Sequence, residues 1–259
     1  MIKNFIVDRV VRGNMYDHKT GQLLWSLNQI QSPSLSMESE SVDAVDALGT
    51  PIMSFDRSKT CTLSGENAIF DLALLGEQSG SEAVSESRMI EVFETLKVEG
   101  ATVELANVPA EPVKYIYVMN NDGSLGSEYA VAVADEDGQA VANENAFTID
   151  GKIITLPTSV TSGSVFLTYV YEGKATVVVN SAKNFPKAGK FMMEVLGRDV
   201  CDATTEVFAY LILPNAKLSA STEVAFETEM TQGFELTAQQ DYCSENNELF
   251  ILVIPEDEE

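Results

Sequence analysis

What this sequence is short of narrows it first. Its only cysteines, Cys61, Cys201 and Cys243, are odd in number and far apart, with no Cys-x-x-Cys pair. That spacing favours neither a disulfide framework nor a thiolate metal centre, so the thiols read as reduced, small core hydrophobes in a cytosol-assembled protein. Histidine is scarcer: His18 stands alone in a polar turn, with no Ser-x-Gly elbow or cysteine nearby. It reads as an exposed turn residue rather than a catalytic base. A single tryptophan, Trp25, leaves little to platform a sugar, and no glycosidase-type carboxylate pair stands out among the 40 acidic residues. Neither GxxxxGK[ST] nor a strand-linked GxGxxG is present, which leaves nucleotide chemistry unsupported. Asn121-Asp122-Gly123 and Asp135-Glu136-Asp137-Gly138 lack the alternate-oxygen spacing of a calcium loop and read as turns. No enzyme and no cofactor or metal is expected.

Long apolar runs and positive charge are missing too. Nothing approaches the roughly 20 apolar residues that span a bilayer. Lys3, Asp8, Arg9 and Arg12 interrupt the N-terminal segment, so neither a signal peptide nor membrane insertion is expected. Sixteen basic residues against 40 acidic ones give a net charge of −24, which excludes a general nucleic-acid binder or a protein held on anionic lipid. Such acidity either keeps a concentrated protein soluble or keeps one surface from adhering to polyanions.

What is present is a long series of strand signals. At 259 residues the chain suffices for one large β domain or two modest ones. Phe5, Val7 and Val10-Val11 make a first strand and 22–30 a second, joined by a hairpin turn at Asp17–Gly21. Residues 35–41 alternate as a strand wet on one side, 81–87 read as a mobile loop, and 90–96 fits a strand or a helix and is read as strand. From Pro112 short strands recur: 113–119, 129–134, 146–149 and 152–156 across Asp150-Gly151, then 164–171 and 175–179 across Glu172-Gly173-Lys174. Further strands are expected at 190–196, 205–213, 216–219, 223–230, 233–238 and 249–254, the last as a central strand covered on both faces.

The most distinctive stretch is Asp43–Gly80. Pro51–Leu63 is strand-like but broken by a polar turn at Asp56-Arg57-Ser58-Lys59. Ser64 then caps a short helix over about 65–75, whose Ile69, Phe70, Leu72, Leu74 and Leu75 form an apolar face that plugs a β-sandwich or barrel before Gly76 ends it. Asp43–Asp56 reads as a loop without a local partner, because polar or small residues precede Pro51.

The segments GNMYDHKTGQLLWSLNQI at 13–30, DALGTPIMSFDRSKTCTLSGENAIFDLALLGEQSG at 46–80 and FELTAQQDYCSENNELFILVIPEDEE at 234–259 resemble major tail tube proteins of long-tailed, siphovirus- or myovirus-like bacteriophages. The resemblance implies a mainly β fold: a β-sandwich or partial barrel with one short flanking α-helix and an inner sheet completed by neighbouring subunits. Residues 1–111 and 182–259 would form this core, and 112–181 an inserted immunoglobulin-like subdomain. It further implies hexameric rings stacked head to tail around an acidic channel that DNA crosses, unbound, during ejection. Partners would be copies of the chain and other tail proteins (tape measure, sheath or terminator), in a virion tail assembled in the host cytoplasm. On this reading Asp43, Asp46, Leu48, Gly49, Pro51 and Asp56 belong to a ring-stacking loop, and Met1, Ile2, Phe5, Pro255 and Glu256 to intersubunit arms. Two other classes compete: an immunoglobulin-like head-decoration or surface-binding module, with 112–181 recognising carbohydrate or host protein, and a carbohydrate-active enzyme on a β-sandwich.

Overall fold

The structure, a computed structural model, describes residues 4–133, 140–200, 202–224, 226–228, 230–241 and 247–255. It is mainly β and divides into two compact units, Met1–Val84 with Val178–Glu259, and Ser85–Val177. Residues 85–111, grouped with the first unit from the sequence, lie in the second.

The first unit holds β1 (Phe5–Asp17), β2 (Leu23–Leu27), β3 (Ile30–Val45), β4 (Pro51–Asn67) and a helix, α1 (Leu72–Gln78). After the second unit it continues with β12 (Ala188–Asp199), β13 (Asp202–Leu218), β14 (Gln232–Ala238) and β15 (Ile251–Val253). These strands form one sheet, ordered β2-β1-β12-β13-β14-β4-β3 with β15 beside β13, that curls into a half-barrel. Period-2 alternation turns Met15, Phe191, Met193, Leu211, Leu213, Phe234 and Leu236 to one face, where they bury together with Trp25, Leu63 and Leu74. Trp25, Phe191 and Phe234 meet as a triangle of tilted rings with centroids 5.6, 6.2 and 6.4 Å apart. The curl brings Ile30 over β1 so closely that a Cβ on Gly13 would lie 2.7 Å from the Ile30 Cδ1.

The second unit holds β5 (Val84–Lys97), β6 (Thr102–Glu104), β7 (Tyr115–Met119), β8 (Leu125–Val131), β9 (Ala146–Asp150), β10 (Ile153–Thr155) and β11 (Ser164–Val177). They form a second sheet, ordered β5-β11-β7-β8-β9-β10-β6, with its own core around Ile116, Phe147, Ile154, Val165 and Leu167. Asp150-Gly151 turns β9 into β10 as expected, with Gly151 at φ 57.

Several expectations are corrected. Ser64 does not cap a helix: it pairs with Ser34 on one side and Glu235 on the other, so strand hydrogen bonds hold the chain extended to Asn67. The helix starts after Asp71, whose carboxylate accepts the Leu74 N–H at 2.8 Å. Ile69 and Phe70 therefore precede the helix, Leu72 is exposed on it, Leu75 is half-buried, and Leu74 alone of the five is buried. Residues 56–59 make no turn but run within β4, and 172–174 run within β11, because strands on the partner side continue across both polar stretches. β5 begins at Val84, inside the expected loop. β13 is continuous where two strands were expected, since Pro214 sits at a register shift that spares the ladder its missing N–H. Residues 223–230 contribute only a bridge from Val224 to Gln232 among the described positions. Among the described residues β15 pairs with β13 alone, and it is partly exposed, an edge rather than a central strand.

Candidate assembly interface

The supposed loop at Asp43–Asp56 is the outer part of a long ribbon. β3 and β4 pair from Ile30↔Asn67 to Val45↔Pro51, so each strand is the other's partner. Asp43, Pro51 and Asp56 are strand residues, while Asp46, Leu48 and Gly49 form the tip. One Asp46 carboxylate oxygen accepts the N–H of Leu48 and of Thr50, both at 2.8 Å, and Gly49 takes φ 84. Those bonds from Thr50 and Leu48 hold the Asp46 carboxyl below its ordinary pKa.

Register fixes which side chains share a face. Near the sheet, Leu35↔Leu63 and Met37↔Cys61 lie on the face that joins the core, with Glu38↔Thr60 and Glu40↔Ser58 opposite. Between Glu40 and Ser41 the register shifts and Arg57 becomes an extra residue in β4. Beyond it, Val42↔Phe55 and Ala44↔Met53 occupy the face that carried Glu38 and Glu40, whereas Ser41↔Asp56 and Asp43↔Ser54 continue the core face. The apolar side of the ribbon thus changes over at this bulge. Every residue from Ser36 to Thr60 is open to solvent; Phe55 is 49% exposed, Met53 57% and the tip Leu48 92%. Sequence reading missed this, although the apolar phase visibly moves from odd positions at Leu35 and Met37 to even ones at Val42 and Ala44.

Elsewhere the expected arms divide. Phe5 opens β1, opposite Asp199 on β12. Pro255 is exposed beyond β15, and Met1, Ile2 and Glu256 lie outside the described residues. Cys61 is buried and burial pushes its thiol pKa up, whereas Cys201 and Cys243 also lie outside the described residues. His18 sits in its turn with Nε2 3.6 Å from an Asp241 carboxylate oxygen. Among the described residues no three His, Cys, Asp or Glu side chains group to hold a metal, and no helix is long and apolar enough to cross a membrane.

The sequence profile of the YomU/Tube protein family matches residues 4–247. The chain belongs to the YomU/Tube family. This is a family of phage tail tube proteins, so the resemblance read from 13–30, 46–80 and 234–259 identified the right one. A tail tube family implies a structural component of the virion tail that assembles with itself and with other tail proteins. Comparison with curated proteins gave no match. In this YomU/Tube protein the whole of the second unit and of the β3–β4 ribbon falls within the matched span, as does all of the first unit except 1–3 and 248–259.

Proposed function

We propose that the protein forms hexameric rings that stack head to tail into a tube, with an acidic bore that lets DNA pass during ejection without adhering. The observation that carries this reading is the change of apolar face at the Arg57 bulge. A two-stranded ribbon is marginal in water by itself. Its outer half turns Val42, Phe55 and Met53 away from the side that its own core covers. Burying such side chains against another copy contributes about 1.5–3 kcal/mol each. The ribbon from Asp43 to Asp56, with Asp46, Leu48, Gly49 and Pro51 at and beside its tip, is therefore assigned to contacts between successive rings.

Closure around the ring uses the edges of the curled sheet, β2 on one side and β3 on the other, because sheets joined through a closed ring leave no edge to aggregate. A cyclic contact closes the ring and a separate head-to-tail contact extends the stack. The terminal segments, Phe5 and Pro255 included, add contacts between subunits, and α1 braces the half-barrel through Leu74. The second unit is an inserted β-rich domain; tape measure, sheath or terminator proteins are the further partners, and assembly takes place in the host cytoplasm. Acidic walls act on phosphates only within about 8 Å at physiological salt, which discourages adhesion without barring passage.

Negative-stain microscopy of the purified full chain tests this. Rings or hollow tubes are expected, and removal of Ala47–Thr50 is expected to shorten or abolish the tubes while leaving a folded protein. A monodisperse globule at every concentration, or normal tubes after the deletion, would overturn the respective half of the proposal.

A further inference from the structure

The second unit presents aromatic rings on the side of its sheet that its core does not use. In β11, Val165, Leu167 and Tyr169 are buried, so Phe166 and Thr168 point the other way; in β7 buried Ile116 leaves Tyr115 and Tyr117 on that same outer side. In β5, Glu91, Phe93 and Thr95 are exposed, alternating with half-buried Val92, Glu94 and Leu96. Register aligns them. Phe166 stands opposite Tyr117, and Tyr117 opposite Glu128 of β8. The rings of Phe93 and Phe166 lie 6.0 Å apart with 35° between their planes. Phe93 is 73% exposed and Tyr115 47%. An aromatic row thus crosses three strands, and beside it Glu91, Tyr115, Tyr117 and Thr168, together with Glu111 and Lys114, line an open cleft of about 290 Å³.

The surroundings select the ligand. Glu91, Glu111 and Glu128 outnumber Lys114, so an anionic ligand is repelled. An apolar strand laid over the row would strip water from these carboxylates and return no hydrogen bonds, which is unfavourable. A pyranose offers both requirements: a C–H face to lie on a ring, and hydroxyls to donate to carboxylates. The Tyr117 hydroxyl is hydrogen-bonded to Glu128, which pushes its pKa up and keeps its proton. We infer that this outer face, Phe93, Phe166, Tyr117 and Tyr115 with Glu91 and Thr168, is a binding site for a neutral oligosaccharide. The site goes beyond the tube reading and does not depend on how the ribbon is used.

Saturation-transfer NMR of the full chain with maltohexaose, cellohexaose and chitohexaose tests it. Saturable binding of at least one of them is expected, in the millimolar range because the cleft is shallow and open. Phe93→Ala and Tyr117→Ala should each weaken it by about 2- to 10-fold, the value of one aromatic contact. Phe185→Ala, an exposed aromatic of the first unit, should leave it unchanged. Phe93 is mostly in solvent, so its variant keeps the fold, which circular dichroism checks. No transfer to any of the three sugars overturns the inference, as does binding that both site variants leave intact. Loss of self-association on Phe93→Ala, with no sugar bound by the parent protein, would overturn it in favour of a contact between copies.

Discussion

At the scale of single residues, Asp46 is the fastener of the ribbon tip. Its carboxylate is held below its ordinary pKa by the N–H groups of Thr50 and Leu48, so the charged form is the one the folded turn prefers. The contribution is therefore fully present above the unfolded value of 3.8 and is lost as pH falls through the lower folded value. Amide exchange at Leu48 and Thr50, corrected for the intrinsic pH effect, should lose protection only below pH 3.8, and Asp46→Ala should remove it at neutral pH while Leu63 stays protected. Protection that survives the substitution would show that the backbone closes the turn unaided. Glycine gives a second contrast. Gly49 at φ 84 has nothing within 4 Å of a built Cβ, whereas Gly80 at φ 67 would place one 2.4 Å from the Phe185 nitrogen. Gly49→Ala should cost only the left-handed penalty, about 1–2 kcal/mol. Gly80→Ala adds a backbone clash where the end of α1 meets 184–185, so its urea midpoint should fall clearly further. Equal midpoints would mean that 184–185 moves aside freely.

At the scale of elements, the ribbon separates assembly from folding. Val42→Ser with Phe55→Ser alters only its exposed apolar face, so thermal unfolding should stay within about 0.5 kcal/mol of the parent, the usual range for surface changes. Tube yield by sedimentation should nevertheless collapse. Ser54→Ala on the opposite face, which removes only the bond to Asp43, should spare it. Equal losses from both would put the contact on the wrong side of the ribbon. The same element shows what a sequence discloses. Turns with a backbone requirement were legible: Asp150-Gly151 and Asp17–Gly21 mark their hairpins because glycine at positive φ is nearly obligatory there. Strands with a polar middle were not. Asp56–Lys59 and Glu172–Lys174 look like turns locally, and only pairing with a distant strand keeps them extended. Ser64 has a cap's chemistry but lies between two strands, and its ladder outweighs its local preference. The aromatic row on the second unit was equally hidden, since Phe93, Phe166 and Tyr117 come together only through cross-strand register.

At the scale of the whole molecule, two forces set the conditions for polymerisation. Apolar faces such as Val42, Met53 and Phe55 favour contact, and a net charge of −24 on every copy opposes it. Contact burial changes little with moderate salt, but repulsion between neighbouring copies acts over about 30 Å at 0.01 M salt and about 8 Å at 0.15 M. Polymerisation followed by light scattering should therefore be slow at 0.01 M NaCl and accelerate markedly by 0.15 M, with the critical concentration falling in step. The same shift should leave unfolding of the single chain nearly unmoved, because the ion pairs that Arg9, Arg88, Lys97 and Arg198 make within it are largely exposed and contribute little. Duplex DNA mixed with preformed tubes should sediment alone even at 0.01 M NaCl, where a basic surface would bind it most tightly. Polymerisation that weakens as salt rises would reverse this balance: the copies would then be joined by pairing their 16 basic residues with acidic neighbours, and the ribbon's apolar face would not be the principal adhesive.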